Sequence, residues 1–307
     1  MTTQVPWVRS VGWQGLLPAL GAQGSQGRSN IASMRPTVAI LGAGAMGEIL
    51  ATGLLRAGWQ TEELVLAVRR PERVKEAEMR TGITTLLDTA AAAAGRDVVV
   101  ISVKPKDIPT LLEQVADVIT TDQIVVSLAA GVPIAVFAEQ LEGVPIVRAM
   151  PNTPAAVDEG VTAYVGGENV DEQALATAAA ILGAVGETIE LSEDLMDAVT
   201  AVSGTGPAYV FLLAEAMTEA AIREGLPHHA AELLVHQTVR GAGTLLVESG
   251  KSAFRLRGEV TSPGGTTAAA MHVLDEGGFR ALMEDAIHSA AQRSRDLGAR
   301  ARGDLPA

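Results

Sequence analysis

The short stretch Gly42-Ala43-Gly44-Ala45-Met46-Gly47 limits the fold of this chain more than any other. It follows residues 37–41, an apolar and largely β-branched run that is typical of a buried parallel strand. Residues 48–57 then have helical spacing, and Gly58 is a suitable helix end. A strand, a G-x-G-x-x-G turn and a helix in this order are typical of a dinucleotide-binding unit.

Each glycine of this turn has an expected role. We expect Gly42 to permit the sharp bend and Gly44 to let the backbone approach the pyrophosphate of a dinucleotide. Gly47 should let the helix pack closely on the strand. The whole turn, 42–47, is therefore a predicted cofactor-binding segment.

The alternation of strands and helices continues well beyond this turn. Apolar strand-like runs follow at residues 64–68, 98–103, 124–128, 144–148, 161–165 and 188–191. After Ser192 the strand pattern disappears, and helical stretches follow at 194–202, 207–224, 227–249, 253–257, 267–275 and 279–298. The pattern predicts an α/β fold, in which an N-terminal Rossmann-type doubly wound sheet precedes an all-α C-terminal domain.

The pattern of strands and helices divides the chain into four segments. Residues 1–33 are rich in Gly, Gln and Ser with little periodicity, so we expect a disordered leader. Residues 34–192 form the predicted dinucleotide-binding domain, residues 193–300 a helical dimerisation and substrate domain, and residues 301–307 a flexible tail. Residues 208–217 and much of 230–246 are almost wholly apolar, and such helices must be buried on several sides. We therefore expect a homodimer at least.

Composition excludes several functional classes. The 307-residue chain carries a formal charge of −13, which argues against nucleic acid or an anionic membrane as partner. It contains no cysteine, which excludes disulfides, thiol nucleophiles and Cys-ligated metals. No apolar run reaches the roughly 20 residues of a membrane span, and the N-terminus lacks the pattern of a signal peptide. We expect a cytoplasmic protein.

The residues after the second strand bear on the choice of cofactor. A site for NADH usually has an acidic residue there, whereas this chain has Arg69 and Arg70, with Arg73 one turn later. Two cations favour a 2′-phosphate, which predicts NADPH, with NADH as the alternative. The simpler interpretation is that both arginines are solvated surface charges.

Three further segments follow predicted strands and should line the same crevice as the glycine turn. They are Val103-Lys104-Pro105, the turn containing Ala130, and Met150-Pro151-Asn152-Thr153-Pro154. We expect Lys104 to donate to the ribose or phosphate of the cofactor. Asn152 should help to position the nicotinamide amide.

A second glycine-rich loop, Ser262-Pro263-Gly264-Gly265-Thr266-Thr267, directly precedes a predicted helix. Pro and two glycines favour a loop, and free N–H groups at the following helix start can hold an anion. The plainer interpretation is a helix start capped by Thr266. His228, Glu232 and His236 have helical spacing, but a zinc site needs a further ligand, so we predict a polar helix face and no metal.

Several of these motifs together resemble the pyrroline-5-carboxylate reductase family. They are Gly42–Gly47, Val103-Lys104-Pro105, Met150-Pro151-Asn152-Thr153-Pro154-Ala155, Ser203-Gly204-Thr205-Gly206-Pro207-Ala208-Tyr209 and residues 260–267. The resemblance covers the chain from about residue 34 to near residue 297. Ser262–Thr267 is its most specific part and the glycine turn its least specific.

The resemblance implies reduction of 1-pyrroline-5-carboxylate to proline, the last step of proline synthesis. It implies that residues 262–267 bind the substrate and that Thr267 stands beside the reacting nitrogen. Glu248 lies near an acidic position of the family, although a solvated helix-end carboxylate fits it equally well. The family also implies a ring of dimers.

Two other classes stay open beside the reductase. A 2- or 3-hydroxy acid dehydrogenase has the same two-domain plan but generally uses a Lys or His acid–base group. The helices after Ser192 contain only one lysine, Lys251, which precedes the second loop. A non-catalytic dinucleotide sensor is the third class, and the intact Thr266-Thr267 pair disfavours it.

Overall fold

The computed structural model of the chain describes residues 35–304. The predicted leader, 1–33, and residues 305–307 of the predicted tail lie outside the described residues. The chain divides into two compact units, one holding residues up to Thr200 and again from Ser294, the other holding Ala201–Arg293. The domain boundary expected at residue 192 lies shortly before this division.

Within residues 35–304, the first unit contains one eight-stranded sheet in the order β3-β2-β1-β4-β5-β6-β7-β8. Its strands are β1 Val38–Leu41, β2 Leu64–Ala67, β3 Thr85–Leu86, β4 Val98–Ile101, β5 Ile124–Ser127, β6 Ile146–Met150, β7 Gly160–Gly166 and β8 Gly186–Glu190. All neighbouring strands are parallel except β6 and β7. The order reverses between β1 and β4, which confirms the predicted doubly wound sheet.

Helices cover both faces of this sheet. They are α1 Ala45–Arg56, α2 Pro71–Thr81, α3 Thr89–Ala93, α4 Ile108–Val115, α5 Ile134–Ala138, α6 Glu172–Leu182 and the short α7 Met196–Val199. Along β1, Val38 and Ile40 join a core with α1 and α6, while Ala39 and Leu41 join a core with α4 and α5. Because both faces are buried, β1, β2 and β4 are apolar throughout rather than alternating.

The end of the last helix, α12 (Phe279–Ala301), packs closely on the loop after β5. A Cβ on Gly131 would lie 2.9 Å from the Ser294 carbonyl oxygen, and a Cβ on Gly298 would lie 2.6 Å from the Gly131 carbonyl oxygen. Gly131 also has a φ of +76°, a conformation that glycine adopts readily. Both glycines are therefore required by this contact.

The second unit is wholly helical within the described residues, which confirms the predicted fold class. A π-helical segment, Thr200–Gly204, leads into α8 Gly206–Arg223, α9 His228–Glu248, α10 Ala253–Glu259, α11 Thr266–Glu276 and the first part of α12. Large apolar side chains on these helices are exposed in the single chain, including Phe211 at 65% and Leu233 at 70%. No helix within residues 35–304 is both long and apolar enough to cross a membrane.

Candidate active site

The glycine turn is held firmly against the end of β2. The N–H groups of Gly42 and Ala43 both donate to the Ala67 carbonyl oxygen, at 2.9 and 3.0 Å. Gly42 has a φ of +96°, and a Cβ there would lie 2.6 Å from Val103 Cγ1. Only glycine satisfies both conditions, since the conformation is strained for other residues and the space is already filled.

The other two glycines of the turn differ in their surroundings. A Cβ on Gly47 would lie 2.7 Å from the Gly42 carbonyl oxygen and 3.2 Å from Ile40 Cγ2, so Gly47 lets α1 approach β1. A Cβ on Gly44 would meet nothing nearer than the Gly42 carbonyl oxygen at 4.0 Å. Gly44 is exposed. Packing within the chain therefore does not require glycine at position 44, and its surface is open to a ligand.

Arg69 and Arg70 lie at the carboxyl end of β2, where α2 begins with Pro71 in its first turn. Their side chains are 80% and 65% exposed. Arg69 Nη1 lies 3.2 Å from Asp107 Oδ1, and Arg70 Nε lies 3.7 Å from Glu72 Oε1. Both guanidinium groups are accessible, and exposed pairs of this kind are weak enough for a phosphate to replace them.

The remaining predicted cofactor residues follow other strands at the same edge of the sheet. Val103 contacts Gly42, and the exposed Lys104 precedes a short 3₁₀ turn that starts at Pro105. Ala130, half-buried, follows β5. Asn152 follows β6 and is buried, and its Oδ1 accepts a hydrogen bond from the Val161 N–H at 2.9 Å. This bond commits the amide oxygen of Asn152 to the fold and fixes the orientation of its side chain.

The Ser262–Thr267 loop begins with a tight turn. Gly265 N–H donates to the Ser262 carbonyl oxygen at 3.1 Å, and Gly264 has a φ of +68°. Pro263 at the second and Gly264 at the third position are what a type II turn prefers. A Cβ on Gly265 would lie 2.4 Å from Ser262 Oγ. Gly265, rather than Thr266, is the N-cap of α11, because Thr266 is already the first helical residue.

Two neighbours of this loop in sequence also have defined places. Glu248 is the last residue of α9 and is exposed. Thr267 lies in the first turn of α11 and is half-buried, and its hydroxyl has no hydrogen bond within residues 35–304. The first N–H groups of a helix lack partners in the preceding turn, so this end of α11 can donate to an anion.

Lys251 forms an ion pair with a neighbouring carboxylate. Its Nζ lies 3.0 and 2.8 Å from the two carboxylate oxygens of Glu259, and Arg255 Nε lies 3.2 Å from Glu259 Oε1. The hydrogen bond from Lys251 is the main cause that lowers the pKa of Glu259 below its ordinary value.

In the first unit, burial is the main cause that raises the pKa of Tyr164, and the nearby negative charge of Glu190 raises it further.

The predicted polar face of α9 consists of His228, Glu232 and His236, and one pair of these side chains is in contact. His228 Nδ1 lies 3.4 Å from Glu232 Oε2, one helical turn away. In the part of the chain that the structure describes, no three His, Cys, Asp or Glu side chains are arranged to hold a metal ion.

Sequence reasoning assigned no role to three side chains near the glycine turn, namely Glu48, Arg80 and Asp107. Glu48 in the first turn of α1 pairs with Arg73 and Arg80 of α2, at 2.6 and 2.9 Å. Asp107 pairs with Arg69. The sequence signal was weak, since Arg73 was grouped with Arg69 and Arg70 on charge alone. Arg73 differs from them because it lies in the first turn of α2, whereas Arg69 and Arg70 precede that helix.

The doubly wound sheet, the glycine turn at its switch point and the helical second unit define a dinucleotide-binding oxidoreductase. Residues 37–131 match the family described as NADP oxidoreductase, coenzyme F420-dependent. Residues 193–297 match the family described as pyrroline-5-carboxylate reductase dimerisation.

Individual relatives define the family more narrowly. The chain is 40% identical over 266 residues to the pyrroline-5-carboxylate reductase of Corynebacterium melassecola, covering 85% of this chain and 98% of the relative. It is 38% identical to that of Methanosarcina acetivorans, covering 85% of this chain and 97% of the relative. The chain belongs to the pyrroline-5-carboxylate reductase family.

Solved structures agree with this assignment. A pyrroline-5-carboxylate reductase from Coxiella burnetii superposes with a TM-score of 0.80 at 37% identity, covering 86% of this chain and 99% of that one. A pyrroline carboxylate reductase from Plasmodium falciparum, solved with NADP bound, superposes with a TM-score of 0.78 at 28% identity, covering 86% of this chain and 98% of that one.

Proposed function

We propose that this protein reduces 1-pyrroline-5-carboxylate to proline with NADPH as the hydride donor. The observation that carries the proposal is the match at 40% identity over almost the whole length of a pyrroline-5-carboxylate reductase. The test is to mix the purified protein with NADPH and 1-pyrroline-5-carboxylate and to follow the absorbance of the reduced nicotinamide. Oxidation of NADPH that yields proline is the expected result. The proposal is contradicted if the protein binds NADPH but oxidises it only with a keto acid, or does not oxidise it at all.

The residues of the first unit fit a dinucleotide. Gly44 leaves an open backbone surface at the start of α1, which suits a pyrophosphate. Arg69 and Arg70 present two accessible guanidinium groups at the end of β2, where the adenosine ribose lies in this class of fold. The Plasmodium falciparum relative was solved with NADP bound, which supports NADPH over NADH.

The choice between NADPH and NADH can be measured through the two arginines. We expect the wild type to prefer NADPH and the double variant Arg69→Gln/Arg70→Gln to lose at least about tenfold of that preference. This corresponds to about 1.4 kcal/mol, less than one charge-assisted hydrogen bond contributes. Arg96→Gln, which removes an arginine before β4 at the opposite edge of the sheet, is the matched control. An unchanged ratio of kcat/KM values in the double variant would leave both arginines as plain surface charges.

In the proposed reaction, NADPH supplies a hydride to the imine carbon of the substrate. The C=N double bond becomes a single bond, and the ring nitrogen of proline carries a proton that comes from water. We propose that the N–H groups around Gly264–Thr267 hold the substrate carboxylate, as the positive end of a helix favours an anion. The Thr267 hydroxyl orients the ring nitrogen and relays the proton, because a threonine is too weak an acid to supply it alone.

Neighbouring threonines provide a matched test of this role. Thr267→Val should lower kcat by at least about tenfold, the lower range for a positioned hydrogen-bonding group. Thr266→Val keeps its backbone N–H and removes a hydroxyl with no assigned role, so its kcat should stay close to wild type. Equal activities of the two variants would remove the role from Thr267. For Glu248, also proposed near the substrate, Glu248→Gln should change KM and not the unfolding temperature.

The second unit supports self-association. Residues 193–297 match the family's dimerisation domain, and exposed apolar side chains such as Leu233 are spread over its helices. We propose a homodimer that assembles further into a ring of dimers. Light scattering of the purified protein should give the molecular mass of an even number of subunits above two, and a monomer would contradict the proposal. Leu233→Glu should shift the mass downward, whereas Met79→Glu, at an equally exposed apolar residue of the first unit, should not. The cytoplasmic location stays a prediction.

A further inference from the structure

Arg73 makes a set of contacts that differs from those of Arg69 and Arg70. Its Nη2 lies 2.6 Å from Glu48 Oε1 and 3.3 Å from the Ala43 carbonyl oxygen, and its Nη1 lies 2.8 Å from Glu76 Oε2. Its side chain is 24% exposed. A guanidinium group has the planar fork needed to serve several acceptors at once, so this arginine is fixed in one orientation.

The contact with Ala43 joins α2 to the glycine turn. Ala43 is buried, and its N–H donates to the Ala67 carbonyl oxygen, so Arg73 holds the other side of the same residue. The Arg73 N–H donates to the Arg70 carbonyl oxygen at 3.0 Å, which places Arg73 in the first turn of α2. One side chain thus connects the start of α2, beside Arg69 and Arg70, with the loop between β1 and α1.

Arg73 also neutralises the charge of the Glu48 carboxylate. Glu48 stands in the first turn of α1, and its side chain is only 16% exposed. An unpaired carboxylate there would oppose the binding of a pyrophosphate to the positive end of the same helix. Arg73 neutralises it from a half-buried position, while Arg80 pairs with the same oxygen at 2.9 Å from a more exposed one.

We infer that Arg73 is a positioning residue for the cofactor: it fixes the Ala43 carbonyl of the glycine turn and neutralises Glu48, and so prepares the turn for the pyrophosphate. The inference rests on the proposed use of NADPH. It differs from the role of Arg69 and Arg70, which concerns the 2′-phosphate. Since NADPH and NADH share the pyrophosphate, Arg73 should affect both cofactors to the same extent.

The dissociation constants of NADPH and NADH for the full-length protein test this directly, through the fluorescence of the bound reduced nicotinamide. Arg73→Gln should weaken both cofactors by about tenfold, the loss of roughly one charge-assisted hydrogen bond. The ratio of the two constants should stay within about twofold of wild type, and Arg73→Lys, which keeps the charge without the fork, should recover part of the affinity. Unfolding temperatures measured in parallel separate this loss of affinity from a general loss of stability, because a positioning role requires Arg73→Gln to be fully folded at the temperature of the titration.

Arg80→Gln is the matched control, because Arg80 pairs with Glu48 and does not contact Ala43. Its affinity for both cofactors should stay within about twofold of wild type, since an exposed ion pair contributes little. Wild-type affinity in Arg73→Gln, or an equal loss in Arg80→Gln, would overturn the inference and leave the proposed function standing. A wild-type protein that binds neither cofactor would overturn both together. Should Arg73→Gln not fold, the comparison of Arg73→Lys with Arg80→Gln decides the question in the same way.

Discussion

Replacing Gly44 with alanine should separate the glycine that the ligand needs from those that the fold needs. Gly44 has a φ of −88° and a ψ of −162°, an extended backbone open to other residues. The new Cβ would have 4.0 Å to its nearest neighbour. The substitution removes conformational freedom from the unfolded chain without strain in the folded one. Alanine gains about 0.4–1 kcal/mol from the unfolded chain but is a poorer N-cap of α1 than glycine by a similar amount, so we expect the free energy of unfolding to change by less than about 1 kcal/mol.

The same methyl group should damage cofactor binding. It would project from an exposed position of the turn, where the backbone must come close to the pyrophosphate. Displacing the pyrophosphate enough to lose one charge-assisted hydrogen bond costs about 1.5–3 kcal/mol. The dissociation constant of NADPH should accordingly rise by roughly 10- to 100-fold.

Urea unfolding and NADPH titration of Gly44→Ala measure the two effects, with Gly42→Ala as the comparison. At Gly42, the left-handed conformation costs an alanine about 1–2 kcal/mol and the contact with Val103 about 1–3 kcal/mol more. Gly42→Ala should therefore lose about 2–5 kcal/mol of stability, the sum of those two costs. The reasoning fails if Gly44→Ala is destabilised to a similar extent, or if it binds NADPH as tightly as the wild type.

Three further substitutions test other parts of the molecule. Gly265→Ala should cost about 0.5–1 kcal/mol in thermal unfolding, because the new Cβ makes the Ser262 hydroxyl rotate and alanine is a poorer N-cap of α11 than glycine, and Ser262→Ala should relieve only the first of these effects in the double variant. Arg148→Met should cost about 1–3 kcal/mol in urea unfolding, since it removes a buried guanidinium that lies 3.2 Å from Glu193 and 3.9 Å from Asp197, both partly hydrated; no loss would show that the pairs are neutral. Glu259→Gln should speed hydrogen exchange in α10 at neutral pH. The lowered pKa of Glu259 means that its stabilising effect is complete above the ordinary glutamate pKa and is lost as pH falls through the lower folded value, so the difference between variant and wild type should shrink below the ordinary glutamate pKa and vanish below the lowered one.

The sheet was largely predictable because most of its strands are buried on both faces. Runs such as Val98–Ile101 are continuously apolar and need no tertiary information to recognise. The two-residue strand β3 lacks such a run, since only its pairing with β2 makes it a strand. The antiparallel step from β6 to β7 did leave a signal. Residues 151–159 are too few for the crossover that a parallel connection requires.

The side chains around the glycine turn show where the sequence stops being informative. Arg69, Arg70 and Arg73 are alike in charge and closely spaced, yet only Arg73 contacts the turn. Arg73 lies in the first turn of α2 while Arg69 and Arg70 precede that helix, and its contact with Ala43 is a tertiary one that no local pattern encodes. Asn152 is a second residue whose contact was not predictable from the sequence. Its type and position indicated a ligand contact, whereas the structure shows its amide oxygen accepting from the Val161 N–H, a bond that depends on tertiary structure.

The residues of the two glycine loops differ in whether the folded chain alone requires them. Gly42 and Gly47 are each required by a neighbouring atom at close range, and Gly264 by its positive φ. Gly44 and the Thr267 hydroxyl have no such requirement within residues 35–304. At the N-cap of α1 a Ser, Thr, Asn or Asp would serve the fold at least as well as Gly44, and a half-buried hydroxyl without a partner is not favoured by folding itself. The residues that the fold leaves unexplained are therefore those to which the cofactor and the substrate are assigned.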